Sequence, residues 1–232
     1  MSNEIRTPLN GVIGMIHHLL INHPRKDQTE TINSLKFSAD NLLSLINNIL
    51  DFNKIEAGKI EFANNSFDLR ELGENIIAGF KSHAELLGNE LRFDCITTRD
   101  LHVKSDKVKL SQVLSNLINN AIKFTKNGTI TLSVVELKRT ESEITTKFNV
   151  SDTGIGIEQN KIERIFDTFS QADSNIHENY DGTGLGLTIS KRLLQLQGSD
   201  ISVKSEIGKG SEFSFVVVLP IGEKQKSVKI QN

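Results

Sequence analysis

The feature that most restricts this chain is a row of apolar residues, Ile32, Leu35, Ala39, Leu42, Ile46 and Ile49, which step by three and four without a break. At 3.6 residues per turn, that spacing keeps every member on one narrow stripe, the a/d seam of a coiled coil. An earlier stretch repeats it in Ile5, Leu9, Val12, Ile16 and Leu19, and only Asn22-His-Pro-Arg interrupts the pattern before the second begins. A connection that short predicts two antiparallel helices, the second ending at Ala57-Gly58. Two helices alone cover such stripes poorly, so the pattern predicts a homodimer in which two hairpins form a four-helix bundle. A hairpin folded back on its own C-terminal part would also hide the stripe, but it does not require so regular a seam.

Beyond Gly58 the texture changes. Strands are expected near 59–62, 90–95, 129–137, 145–150, 201–204 and 212–218, with helices near 69–87, 107–124 and 185–197 and a short one near 159–165. This order of elements reads as α+β rather than strictly alternating βαβ. The domain expectation is a helical hairpin over 1–58, a mixed α/β unit over 59–222, and a C-terminal tail or linker over 223–232. The stretch 167–181 is polar and aperiodic, and a loop of that length inside a compact domain is more often functional than accidental.

Charge and cysteine content exclude several function classes. Lys+Arg at 27 against Asp+Glu at 29 leave a net charge of -2, so no nucleic-acid partner and no membrane contact by this chain are expected. Any phosphate binding must then be local. One cysteine, Cys95, permits no internal disulfide and builds no thiolate metal site alone. No apolar run reaches bilayer length and the first residues do not form a signal sequence. The expectation is a cytoplasmic protein or the cytoplasmic part of a membrane-bound parent.

Three clusters can carry chemistry. Asn116, Asn120 and Lys123 stand at i, i+4 and i+7 of one predicted helix, so their side chains share a face. Asparagine oxygens are hard ligands suited to Mg²⁺, and a nearby lysine can offset phosphate charge, although a polar helix face is usually just solvated. Asp152-Thr-Gly-Ile-Gly follows an apolar strand; its glycines admit close approach of backbone to a ligand and its carboxylate can accept from an exocyclic amine, although Asp-x-Gly is also an ordinary turn. Gly182-Thr-Gly-Leu-Gly-Leu-Thr opens an amphipathic helix, which presents flexible amides and a helix N-terminus together to an anion.

In this order and spacing the elements resemble the catalytic core of two-component sensor histidine kinases. Asn116-Leu-Ile-Asn-Asn-Ala-Ile-Lys-Phe-Thr resembles the N box, Asp152-Thr-Gly-Ile-Gly the G1 box, Ile165-Phe-Asp-Thr-Phe-Ser-Gln the F box, Gly182-Thr-Gly-Leu-Gly-Leu the G2 box and Gly208-Lys-Gly-Ser-Glu-Phe the last glycine turn. The resemblance covers nearly the whole chain. It implies a HisKA-type dimerisation hairpin followed by a Bergerat-type α/β sandwich, shared with gyrase and MutL-like ATPases, that binds ATP and Mg²⁺. By that likeness Asn120 holds the metal with Asn116 beside it, Lys123 meets the phosphates, and Asp152 reads the adenine amine with Ser211 in support. Gly154 and Gly156 wall the base. Gly182, Gly184 and Gly186, with Thr183 and Leu185 between them, let a lid close over the phosphates. Where the related ATPases place an acidic base, this chain has the amide of Asn116, which cannot activate water. A protein side chain is therefore the expected phosphoryl acceptor, and a receiver domain of a response regulator the expected partner.

The first residues resemble the H box, in which Ser-His-Glu-Ile-Arg-Thr-Pro-Leu-Asn-Gly is usual and this chain reads Ser2-Asn3-Glu4-Ile5-Arg6-Thr7-Pro8-Leu9-Asn10-Gly11. The amide nitrogen of Asn3 has its lone pair delocalised into the carbonyl, so self-phosphorylation at position 3 is not expected. Glu4, the proton acceptor by resemblance, and Thr7, the residue associated with dephosphorylating the receiver, both remain. Two readings follow: a histidine kinase core whose own acceptor is degenerate, and a pseudokinase-like nucleotide-binding module or receiver phosphatase. Pro8 predicts a bend in the first helix, and His17 and His18 are expected at the surface or seam. In the lid, Glu178 and Asp181 oppose triphosphate unless Mg²⁺ or Lys123 screens them or they face solvent.

Overall fold

The computed structural model describes residues 2–22, 24–97, 99–167 and 184–223. The chain divides into two compact units, Met1–Ile60 and Glu61–Asn232. The first is a hairpin of α1 (Ser2–Ile21) and α2 (Lys26–Glu56). Pro8 lies inside α1, which is helical on both sides of it. Proline supplies no N–H to the helical ladder, a small loss this close to the helix start. α2 begins six residues before the first seam residue, because Gln28 reaches back to accept the Arg25 N–H at 3.2 Å and Asp27 places negative charge in the first turn.

The seam splits into two rows. Ile16, Ile32 and Ala39 are buried, with Leu9, Ile13 and Leu20 packed against them. Leu35, Leu42 and Ile49, spaced by seven, remain 52%, 48% and 41% exposed, and Val12, Met15 and Leu19 are exposed on α1.

The second unit is one five-stranded sheet with helices on one face. Its strands are β2 (Glu90–Ile96), β4 (Thr129–Arg139), β5 (Glu143–Asp152), β6 (Ser202–Glu206) and β7 (Gly210–Pro220), in the order β2-β4-β5-β7-β6. β2 pairs with β4 in parallel and every other neighbour is antiparallel. The helices α3 (Leu69–Leu86), α4 (Lys107–Phe124) and α5 (Gly186–Gln195) bury Leu69, Leu72 and Ile76, Val113, Leu114, Leu117, Ile118 and Ile122, and Ile189, Leu193 and Leu194. Along β5, Ile144, Thr146, Phe148 and Val150 are buried while the residues between them are not. Phe148 stacks on Phe215 at 5.1 Å between ring centroids. The same period of two puts Asp152, the last residue of β5, on this inner face.

The strand expected at 59–62 does not form. A short ribbon of β1 (Asn65–Asp68) and β3 (His102–Ser105) stands in its place, and the Asp106 carboxylate fixes the approach by accepting from Ala63 N and capping α4 at Lys109 N, both at 2.9 Å. Lys59-Ile-Glu-Phe alternates like a strand but has no partner strand, while β3 has one fully buried apolar residue, Val103, and so no periodic signal. The short helix expected near 159–165 is two 3₁₀ turns, Gln159–Lys161 and Arg164–Phe166. Among the described residues no helix is long and apolar enough to cross a membrane.

Candidate functional site

α4 supplies the first side of the site. Its apolar residues hold it against the sheet, and Asn116, Asn120 and Lys123 share the remaining face, each half-buried. Asn116 has a structural partner: its Nδ2 donates to the Gly186 carbonyl and to Ser190 Oγ, both at 3.2 Å, so it clasps α4 to the start of α5. Ser190 is fully buried, and its hydroxyl is the inner end of that clasp. The Lys123 ammonium lies 5.0 Å from the centroid of the Phe124 ring.

Asp152 forms a second corner. Its Oδ1 accepts the Gly154 N–H at 2.8 Å, which turns the chain sharply off β5. Burial pushes the carboxyl above the ordinary carboxylate range, and hydrogen bonds from the Gly154 and Ser211 backbone partly oppose that rise. Ser211 is the register partner of Asp152 on β7. Its hydroxyl meets Ser205 Oγ at 2.9 Å, one strand further on.

The G1 glycines are required by the protein itself. A Cβ on Gly154 would run into the Phe124 carbonyl at the end of α4, and one on Gly156, at φ +72°, into the Glu206 carbonyl of the β6–β7 turn. Ile155 N donates to the Phe124 carbonyl at 3.2 Å, Gly208 N to the Ile155 carbonyl at 2.8 Å and Ile157 N to Ser205 Oγ at 2.8 Å. The loop is thus threaded between α4 and the β6–β7 turn. Its other flank is tied by Thr153 Oγ1, which accepts from Thr129 N at 3.0 Å, and by buried Asn89, which donates to the Thr125 carbonyl at 2.8 Å and accepts from Gly128 N at 3.0 Å.

α5 is the third side. α3 and α4 start on aspartate caps, Asp68 and Asp106, whereas α5 starts on Leu185, which offers no side-chain acceptor. A helix start without a side-chain cap is the kind of place that receives an anion. Gly184 supplies a φ of +67° immediately before this start, and Leu185 is buried beneath it. The second 3₁₀ turn docks on the same helix: Thr188 Oγ1 donates to the Phe166 carbonyl at 2.9 Å and Lys191 Nζ lies 4.6 Å from the Phe166 ring centroid. Gly182, Thr183, Glu178 and Asp181 lie outside the described residues, as does the tail from residue 224 onward.

In the hairpin, Glu4 and Thr7 are exposed on α1, three residues apart, and Arg6 Nη2 donates to Asn47 Oδ1 of α2 at 3.0 Å. Asn3 belongs to α1, and its side chain lies outside the described residues. His17 and His18 are exposed. The site therefore joins Asn116 to Gly186, Gly154 to the end of α4, and Asp152 to Ser211. Ser190, Ser205 and Asn89 were not among the expected site residues; each is a single polar residue in no motif, and its role appears only once strand register and helix packing are known.

Residues 105–222 match the family described as histidine kinase-, DNA gyrase B-, and HSP90-like ATPase, and residues 1–58 match the His Kinase A (phospho-acceptor) domain. The chain is 42% identical over 228 residues to sensor protein GacS of Pseudomonas syringae pv. syringae, covering 97% of this chain and 25% of that protein. It is 38% identical over 221 residues to signal transduction histidine-protein kinase BarA of Escherichia coli K12, covering 95% and 24%. It thus spans about a quarter of the length of these relatives. Among solved structures, full-length ShkA in complex with AMPPNP superposes with a TM-score of 0.74 at 32% identity, covering 96% of this chain and 45% of that one.

Proposed function

This chain belongs to the two-component sensor histidine kinases, and from that premise we propose that it binds Mg·ATP in the unit over 59–222 for phosphoryl transfer to histidine in a phosphorelay. The hairpin over 1–58 serves as the dimerisation unit and docks a response-regulator receiver. The observation that carries the nucleotide reading is the pairing of two complementary surfaces on one fold: acceptor groups at Asp152 and Ser211, and a helix start at Gly186 that has no side-chain cap and is clasped to Asn116. An exocyclic amine suits the first and a phosphate the second. Asn120 would hold Mg²⁺, which supplies charge neutralisation on the phosphates when bound, and Lys123 would meet them directly. Asp152 orients the base, and the threaded G1 loop keeps its carboxylate in place without rearrangement.

The residues support this group, and its binding is testable apart from turnover. At a hundredfold excess of Mg·ATP over Kd, the α/β unit should gain about 2.7 kcal/mol, a rise in Tm of roughly 5–10 °C. Asn120→Ala should abolish the Mg²⁺-dependent part; an unchanged shift would remove Asn120 from the metal role. Asn3→His, incubated with labelled ATP, should form acid-labile phosphate that the parent does not. If the restored protein forms none, the site is not an intact kinase site.

A second reading has its own observation. Glu4 and Thr7 remain exposed on one side of α1 although position 3 is an amide, so the hairpin keeps the proton acceptor and the threonine that the family resemblance associates with receiver dephosphorylation. A receiver phosphatase would accelerate loss of phosphate from a phosphorylated receiver, and Thr7→Ala would remove that acceleration.

A further inference from the structure

Ser205 lies outside every motif, yet its side chain makes three hydrogen bonds. Its Oγ accepts from Ile157 N at 2.8 Å, donates to the Gly210 carbonyl at 2.9 Å and meets Ser211 Oγ at 2.9 Å. A hydroxyl has one proton and two lone pairs. The Gly210 oxygen can only accept, so it takes the Ser205 proton; the Ile157 N–H can only donate, so it takes one lone pair. One lone pair is left. The proton between the two serines therefore comes from Ser211.

That direction fixes what Ser211 can offer a ligand. Strand register sets Ser205, Ser211 and Asp152 side by side on three neighbouring strands, with Ser211 in the middle. With its proton turned toward β6, the Ser211 hydroxyl presents only lone pairs on the Asp152 side, where the ionised carboxylate, its backbone donors from Gly154 and Ser211 already taken, presents only lone pairs as well. Such a corner receives a donor and repels an acceptor.

We propose that Ser205 is a specificity-determining positioning residue: by taking the Ser211 proton, it makes the base-reading corner all-acceptor, so that a 6-amino purine nucleotide is bound and a 6-oxo purine nucleotide rejected. The inference rests on the reading above that Asp152 meets the base. Ser205 acts through Ser211 and does not itself touch the nucleotide. A 6-oxo group placed there would leave buried acceptors facing one another, which sites built on hydrogen bonding discriminate against strongly.

The test measures dissociation constants of the whole chain for Mg·ATP and for Mg·inosine triphosphate, which carries a 6-oxo group. The parent should prefer ATP. Ser205→Ala frees the Ser211 proton to swing toward a 6-oxo group, and the ATP-to-inosine-triphosphate preference should fall at least about tenfold, equivalent to about 1.4 kcal/mol. Ser205→Thr keeps the hydroxyl and should keep the preference. A merely structural serine would weaken both nucleotides alike, so an unchanged ratio in folded Ser205→Ala overturns the proposal. Should Ser205→Ala not fold, Ser211→Ala gives the same decision, because it removes the lone pairs that Ser205 is said to aim, and an unchanged ratio there also overturns it. A parent that binds both nucleotides equally overturns the reading of Asp152 as well; a selective parent with an unaffected Ser205→Ala overturns only the role of Ser205.

Discussion

The hairpin and the α/β unit solve the burial problem in opposite ways. In the first sixty residues, the buried apolar side chains among those described are Ile16, Ile32, Ala39 and Ile55, while Leu35, Leu42 and Ile49 form a heptad row that stays exposed. In the second unit, three helices lay continuous apolar stripes on the inner face of a sheet, and Phe148, Leu114, Ile118, Ile130 and Ile189 are all fully buried. One region has its own core, and the other has half a core turned outward. A second copy of the hairpin would complete it, and on that reading the hairpin's stability would depend on concentration while the sheet's would not.

The largest expected effect breaks the first half of that contrast. Leu35→Glu with Leu42→Glu removes two apolar side chains per copy from the proposed seam, at about 1.5–3 kcal/mol each, and adds charges that a closed bundle cannot hydrate. Light scattering at micromolar concentration should change from a dimer mass to a monomer mass, and the hairpin's thermal transition should drop sharply while that of the α/β unit stays put. A monomeric parent would sink the dimer reading outright. The second effect is smaller and falls on the other region. Gly210 has a φ of +100°, and a Cβ there would meet the Asp152 carbonyl oxygen. Gly210→Ala should cost about 1–3 kcal/mol in the α/β unit alone, read as a lower Tm for that transition with an unchanged molecular mass.

The same contrast explains what could be read from residues alone. The helix expected over 107–124 is α4, because Val113, Leu114, Leu117, Ile118 and Ile122 keep a helical period; its Asp106 cap shows itself only in the structure. The α2 start carries a weaker signal: its first turn is polar and is defined by Gln28 and Asp27 rather than by the seam. β3 gave no signal, since four residues with one buried valine have no period. Of the site, Asn116 and Asp152 stand in motifs and can be singled out, and the G1 glycines, singled out for approach to a ligand, also admit the Phe124 and Glu206 backbone. Ser190 and Ser205 could not be found in advance, because a lone hydroxyl acquires a role only from the partner that the register or helix packing brings to it.

The smallest effect sharpens the contrast within the α/β unit by setting its stability against its proposed function. Burial raises the Asp152 carboxyl above its ordinary range, so the folded, ligand-free protein holds that proton more tightly than the unfolded chain does. The native state then binds more protons in the window between the ordinary carboxylate pKa and the raised one. Stability from this group is present below that window and is lost as pH rises through it. Asp152→Asn removes the ionisation and should stabilise the ligand-free unit at neutral pH by about 1 kcal/mol or less, with a flatter dependence of Tm on pH. Nucleotide binding should respond with the opposite sign. An amine donor needs the carboxylate, so the parent's affinity for Mg·ATP should weaken as pH falls through the same window, while Asp152→Asn should bind weakly at every pH. Calorimetry of both proteins with and without nucleotide separates the two effects: if the parent's affinity did not change with pH across the window while its ligand-free Tm did, Asp152 would be a buried structural carboxyl and not the group that meets the base.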